Sequence, residues 1–193
     1  MIIYSQEMIY VNYTKEQLDD IFVVAEKYLK GFSLPSWEDF PSIDLYMDQV
    51  VVLLNEYLSI FLSSSDIQIT STMINNYVKL KTIPAPVKKR YSKIHLAYLV
   101  MVSTLKQTLS MDTISKIIPP DLDEESLKVV YTSFVTNHGK AYSYVSDQIY
   151  SVAKRFFEDD NATPEKLNDL VLQIAVSANI FKLMTKWILE KSE

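Results

Sequence analysis

Apolar residues along the chain recur mostly at every third or fourth position and seldom alternate as they would in a half-buried strand, which predicts helices. Leu18, Ile21, Phe22, Ala25, Tyr28 and Leu29 keep this period between Thr14 and Gly31. Thr14 and Gln17 stand at capping-box spacing before them, and Gly31 suits a left-handed stop after them. Phe32 to Pro41 reads as a proline-bounded connector that Trp37 and Phe40 should pin to the core. A second helix is expected from Asp44 to Leu62, with Leu45, Val50, Leu53, Leu54, Tyr57 and Phe61 inward. Ser63 to Asp66 reads as a loop. A short helix should follow Thr70 and end near Lys81, after which Pro84 and Pro86 force an extended turn. A fourth helix is expected from Ser92 to Thr108, and a fifth from Ser110 to the stop at Pro119 and Pro120.

The last third predicts two long helices, Glu124 to Glu158 and Pro164 to Lys191, the second with Thr163 as N-cap and Pro164 at its first position. Leu127, Tyr131, Phe134, His138, Ala141, Val145, Ile149, Val152 and Phe156 step by three and four along the first. Ile174, Ala178, Phe181, Met184, Trp187 and Ile188 do the same on the second. Two readings stand side by side: a bundle core or two-fold dimer interface, and an apolar small-molecule effector pocket rimmed by Tyr131, Tyr142, Tyr144 and Trp187. Gly139 in mid-helix suggests a kink or a close helix approach.

Composition narrows the class. The chain has 193 residues, nearly half of them hydrophobic, with two glycines, seven prolines and no cysteine. A sheet-rich fold of this length would need more turn glycines. Without cysteine there are no disulfides and no thiolate metal sites. Met1 to Tyr13 lacks the basic, apolar and small-residue regions of a secretory signal. The longest apolar run, Leu96 to Val102, is far short of the ~20 residues a membrane span needs and reads as a buried helix. A cytoplasmic protein without a membrane partner is expected. Gly31 and Gly139 cannot form a phosphate loop. His95 and His138 have no partners at ligand spacing, and His95 reads as a capping or core residue. Asp159 and Asp160 look solvated, and Glu124 and Glu125 complement a helix N-terminus. No enzyme site, metal or cofactor is expected.

Charge changes the picture. The net charge is −5, but residues 1–66 carry −8, residues 67–111 carry +7, and residues 112–193 carry −4. The middle segment contains Lys79, Lys81, Lys88, Lys89, Arg90, Lys93 and Lys106 and no acid. Such segregation fits a phosphate-binding element in an acidic protein; it fits equally a patch that pairs with the chain's own acidic ends. In the helix after Thr70, the residues Thr72, Asn75, Asn76 and Lys79 share one face, opposite Met73, Ile74 and Tyr77. Asn amides suit adenine edges, and Lys suits phosphate or guanine. Lys88, Lys89, Arg90 and Tyr91 then suggest a hairpin or wing along a phosphate backbone. The plain alternative is a solvated face and a basic loop with Tyr91 in the core.

Met73-Ile74-Asn75-Asn76-Tyr77, Ile83-Pro84, Arg90-Tyr91-Ser92, and Leu109-Ser110 before Ile114 and Ile117 together resemble the winged helix-turn-helix of MerR-class bacterial regulators. Over Leu34 to Ile118, the strings Leu45 to Val50 and Thr72 to Tyr77 resemble a Gram-positive bacterial family known as domain of unknown function 1836. The resemblance implies an all-α fold with a MerR-like winged helix-turn-helix over 34–120, an N-terminal helix over 1–33, and a helical dimerisation or effector region over 121–193. It implies duplex DNA as partner, contacted through Thr72, Asn75, Asn76, Lys79, Lys88, Lys89, Arg90 and Tyr91, in a non-enzymatic regulator that works as a homodimer. The chain departs from the pattern in the long connection Ser63 to Ile69 and in a wing only a few residues long. The competing expectation is therefore a helical protein-interaction or small-ligand module that keeps the shape without binding DNA.

Overall fold

The computed structural model describes residues 32–59, 68–157 and 164–191. Among the described residues there are six helices: α1 Met47–Tyr57, α2 Ser71–Lys79, α3 Lys93–Leu105, α4 Met111–Ile117, α5 Glu124–Phe157 and α6 Pro164–Lys191. Extended pairing among them is limited to two isolated antiparallel bridges, Leu45 with Tyr91 and Val87 with Arg90. The described residues are all-α, as the periodicity predicts. The helix expected over 14–31, the loop over 63–66, and the segment 159–163 lie outside the described residues.

Gly31–Ser143 forms one compact unit, and the described residues from Tyr144 onward belong to a second. The core of the first unit is built around α3. All seven residues from Leu96 to Val102 are fully buried. A helix that is apolar all round is stable only when neighbours enclose it. Val50 and Leu54 come from α1 and Leu58 from its C-cap, Ile74 and Tyr77 from α2, Ile114 from α4, and Leu127 and Tyr131 from α5. The connector contributes Trp37 and Phe40, which meet each other and Tyr131 in ring contacts at 5.1–6.2 Å. Because the first turns of α5 are core, the compact unit reaches beyond the boundary expected at residue 120.

Buried hydroxyls and one amide fix the elements in place. The Tyr131 hydroxyl donates to Pro35 O at 2.7 Å. Tyr98 donates to Pro119 O at 2.7 Å and accepts from Leu122 N at 3.2 Å, so a single phenol holds the turn between α4 and α5. The Asn55 side chain accepts from Ile69 N and donates to Ile69 O, copying a strand pairing. These bonds satisfy groups that would otherwise be costly to bury.

Three expectations are corrected. α1 begins at Met47 and not at Asp44, because the Leu45 N–H and C=O are both bonded to Tyr91, at 2.9 Å each. The stripe on α5 is not core along its described length: Leu127 and Tyr131 are fully buried, Phe134 and His138 half-buried, and Val145 exposed, while the side chains of Ile149, Val152 and Phe156 lie outside those described. Gly139 marks no close approach, since a Cβ there would meet nothing within 4 Å and the helix continues through it.

Gly139→Ala should therefore stabilise the protein by about 0.5–1 kcal/mol, the helix-propensity difference with no steric penalty. Urea unfolding of the two proteins measures it, and a destabilised variant would show that the backbone there needs glycine.

His95 makes stability depend on pH. Its Nδ1 accepts from Ser92 N at 3.0 Å, so Nε2 carries the proton and lies 3.2 Å from Ala85 O. Burial pushes the imidazole below its ordinary value of 6.5, against smaller upward pulls from Ala85 O and the Asp44 charge. Burial shifts His138 the same way. The unfolded chain thus takes up protons at higher pH than the folded one. The stability carried by neutral histidine is complete above about pH 6.5 and is lost as the pH falls below it. Glu38, Asp39 and Asp123, all held below their ordinary values by hydrogen bonds, lose theirs only in a more acidic window. Denaturation free energy should decline from about pH 7 to pH 5, and His95→Asn should flatten that decline. A flat profile in the unaltered protein would contradict the assignment.

Candidate nucleic-acid interface

The basic segment folds as a helix, a tight stop and a hairpin. The bonds from Asn55 to Ile69 set the entry to α2. Thr70 caps it, with Oγ1 accepting from Met73 N at 3.3 Å. Ile74 and Tyr77 turn into the core, and Thr72, Asn75, Asn76 and Lys79 are all exposed. The face expected from spacing is therefore present and uncovered. The helix stops with Lys81 N bonded to Val78 O and Thr82 N to Tyr77 O. This is the Schellman arrangement, and its left-handed position, normally glycine, holds Lys81 at φ 55°.

The hairpin follows Pro84 and Pro86. Val87 and Arg90 exchange both backbone hydrogen bonds, at 3.1 and 2.9 Å. The two-residue tip, Lys88 and Lys89, has φ of 49° and 64°. Positive φ at both positions is what a type I′ turn requires, and Asn-Gly is its usual sequence. Two anchors hold the hairpin: Tyr91 paired with Leu45, and His95 beside Ala85 O. Tyr91 is 2% exposed and meets the His95 ring edge-on at 5.5 Å. It supports the hairpin from inside and is not available as the outer contact expected of it.

Arg90 lies across Tyr46. Its Nη2 donates to the Tyr46 hydroxyl at 2.9 Å, and its guanidinium carbon sits 4.9 Å from the ring centroid. Among the described residues no carboxylate pairs with Lys79, Lys81, Lys88, Lys89 or Arg90. The ion pairs recorded there lie elsewhere, Lys128 with Glu38 and Lys186 with Glu190. No cluster of His, Asp or Glu able to hold a metal occurs among the described residues, and no described helix is long and apolar enough to cross a membrane.

The residues expected to rim an effector pocket are not brought together within one unit. Tyr131 is fully buried in the core of Gly31–Ser143. Tyr142 is half-buried and stacks on His138 at 5.9 Å. It stands eleven residues beyond Tyr131 on the same helix, about 16 Å along the axis. Tyr144 and Trp187 belong to the second unit and are exposed. Sequence reasoning missed Tyr46 and the left-handed backbone at Lys81. The absence of glycine at the end of α2 was the available signal for Lys81. Nothing local in sequence links Tyr46 to Arg90, 44 positions away.

An all-helical unit carrying a basic, acid-free helix and hairpin is the class defined by fold and site. Residues 35–134, just over half the chain, match the family described as Domain of unknown function (DUF1836), and the chain belongs to that family. The matched span contains α2, the hairpin and the whole of α3. No curated protein and no solved structure matches the chain.

A residue with a Cβ at left-handed φ costs about 1–2 kcal/mol. Replacing the tip by its preferred sequence, Lys88→Asn with Lys89→Gly, should raise stability by about 1 kcal/mol. Thermal unfolding tests it. A lower midpoint would mean that the lysines make stabilising contacts of their own.

Proposed function

We propose that this protein is a non-enzymatic, DNA-binding transcription regulator of the MerR-like class, acting in the bacterial cytoplasm. The observation that carries the reading is that Thr72, Asn75, Asn76 and Lys79 on α2 and Lys88, Lys89 and Arg90 on the hairpin are all exposed, with no carboxylate paired to their cations among the described residues. α2 is nine residues long, about 13 Å, and a major groove admits a helix of that size. In this reading Asn75 and Asn76 meet base edges, Lys79 meets phosphate or guanine, and the hairpin cations lie along the backbone. Ile83-Pro84 is the turn between helix and wing, and α4, capped by Ser110, is the closing helix. The strain at Lys88 and Lys89 supports the same reading, because left-handed non-glycine residues gather where function demands them.

Salt tests it. Full-length protein should bind random duplex DNA at low salt, with affinity falling steeply as salt rises. Lys88→Ala, Lys89→Ala and Arg90→Ala together should weaken every sequence alike and reduce the log–log slope by roughly 2.7, about 0.9 per phosphate contact. On a selected site, Asn75→Ala or Asn76→Ala should cost ~1–3 kcal/mol at particular bases only. A protein that retains no duplex at low salt would transfer the assignment to a helical interaction or small-ligand module.

Assembly is part of the proposal. On α6, Val171, Ile174, Phe181 and Ile188 are exposed, and with Ala178 and Thr185 they complete a three-four stripe. Such a seam suits a second copy of the helix. A two-fold dimer would also supply the paired half-sites a regulator reads. Sedimentation equilibrium should give a dimer at tens of micromolar, on the order of the concentrations such assemblies need, and Phe181→Asp should give a monomer. A monomeric unaltered protein would remove this part of the proposal.

A further inference from the structure

We infer that Tyr46 belongs to the same surface as Lys88, Lys89 and Arg90, and that with Arg90 it forms a clamp for a backbone phosphate of duplex nucleic acid. The inference rests on the DNA-binding reading above and adds a residue that no sequence pattern brings to that surface.

Tyr46 occupies the N-cap of α1, where Ser, Thr, Asp or Asn is preferred because a short side-chain oxygen can accept from the first turn. A tyrosine does not serve that role well. The local capping bond comes from the other direction, with Tyr46 N donating to Gln49 Oε1 at 2.9 Å. The tyrosine ring, about half exposed, is thereby released to lie under Arg90. Lys88 and Lys89 repeat the pattern, since their turn favours Asn-Gly. Three positions in one corner of the fold thus hold a residue that local conformation does not favour. Departures of this kind concentrate where a side chain is kept for what it binds.

The chemistry of the corner is one-sided. Lysine and arginine are donors only. The Tyr46 oxygen accepts from Arg90 Nη2 at 2.9 Å, which leaves its own hydrogen for a further acceptor. Among the described residues no carboxylate pairs with the hairpin cations, Asp44 and Asp48 on either side of Tyr46 included. A surface that presents several N–H and O–H donors fits a ligand made of acceptors, and a phosphodiester offers two unesterified oxygens. The cation–π contact and the hydrogen bond to the Tyr46 hydroxyl together restrict the guanidinium and leave its other N–H groups for a ligand. Tyr46 is therefore a positioning residue for Arg90 and a direct donor.

Tyr46→Phe removes the hydroxyl and keeps the ring under Arg90. In full-length protein on random duplex DNA it should weaken binding roughly three- to tenfold, with an unchanged salt slope because no charge is lost, and with an unchanged thermal midpoint because the hydroxyl takes no part in capping. Tyr46→Leu, which also removes the ring, should weaken it further. In an Arg90→Ala background, Tyr46→Phe should weaken binding less than it does alone, since half of the clamp is already gone. Undiminished binding by Tyr46→Phe, or full additivity with Arg90→Ala, overturns the clamp while the DNA-binding reading stands. Failure of the unaltered protein to bind any duplex overturns both.

Discussion

The constraint on which this structure depends is the enclosure of α3. Seven consecutive residues, Leu96 to Val102, are apolar or aromatic and fully buried. A helix usually turns one face to water; this stretch has none to turn. Each side chain of this kind gains roughly 1.5–3 kcal/mol on complete burial, and only when apolar neighbours are available on every side. Those neighbours must come from elements before and after α3 in sequence. The connector, α1, α2, α4 and the first turns of α5 are gathered around it for that reason.

Enclosure also decides where polar groups end up. Tyr98 is wholly buried, yet its hydroxyl finds a carbonyl and an N–H in the turn between α4 and α5. His95, near the start of α3, bonds Ser92 through one nitrogen and lies beside Ala85 O through the other, tying the hairpin to the central helix. α2 is held by Ile74 and Tyr77, and the hairpin by Tyr91. What remains outside is the Asn75 and Asn76 face and the lysine tip. The same packing that completes the core thus leaves the basic residues outward, on rigid supports, in backbone conformations that glycine would adopt more easily.

α6 shows the opposite balance. Most of its large apolar side chains are exposed, Phe181, Trp187 and Ile188 among them. Isolated helices of this length gain little from propensity alone, and stability ordinarily comes from a packed face. The exposed apolar side chains on α6 are the reason assembly belongs to the proposed function.

The sequence by itself determined the helices of the compact unit, their approximate ends and the identity of the central one. Period, caps and prolines are local signals, and the run Leu96 to Val102 is legible without partners. It determined the exposed face of α2 for the same reason, since i, i+3, i+4 and i+7 fall on one side of any helix. Membership of the family was legible as well, over Leu34 to Ile118, where the match runs from 35 to 134. The tertiary structure alone decided that Leu45 pairs with Tyr91 and shortens α1, that Tyr91 and Tyr131 are interior, and that Gly139 stands in open space. It alone joined Tyr46 to Arg90 and put lysines at left-handed positions. These depend on contacts between residues far apart in the chain, and on a backbone held by the core against its local preference, neither of which a residue's neighbours in sequence encode.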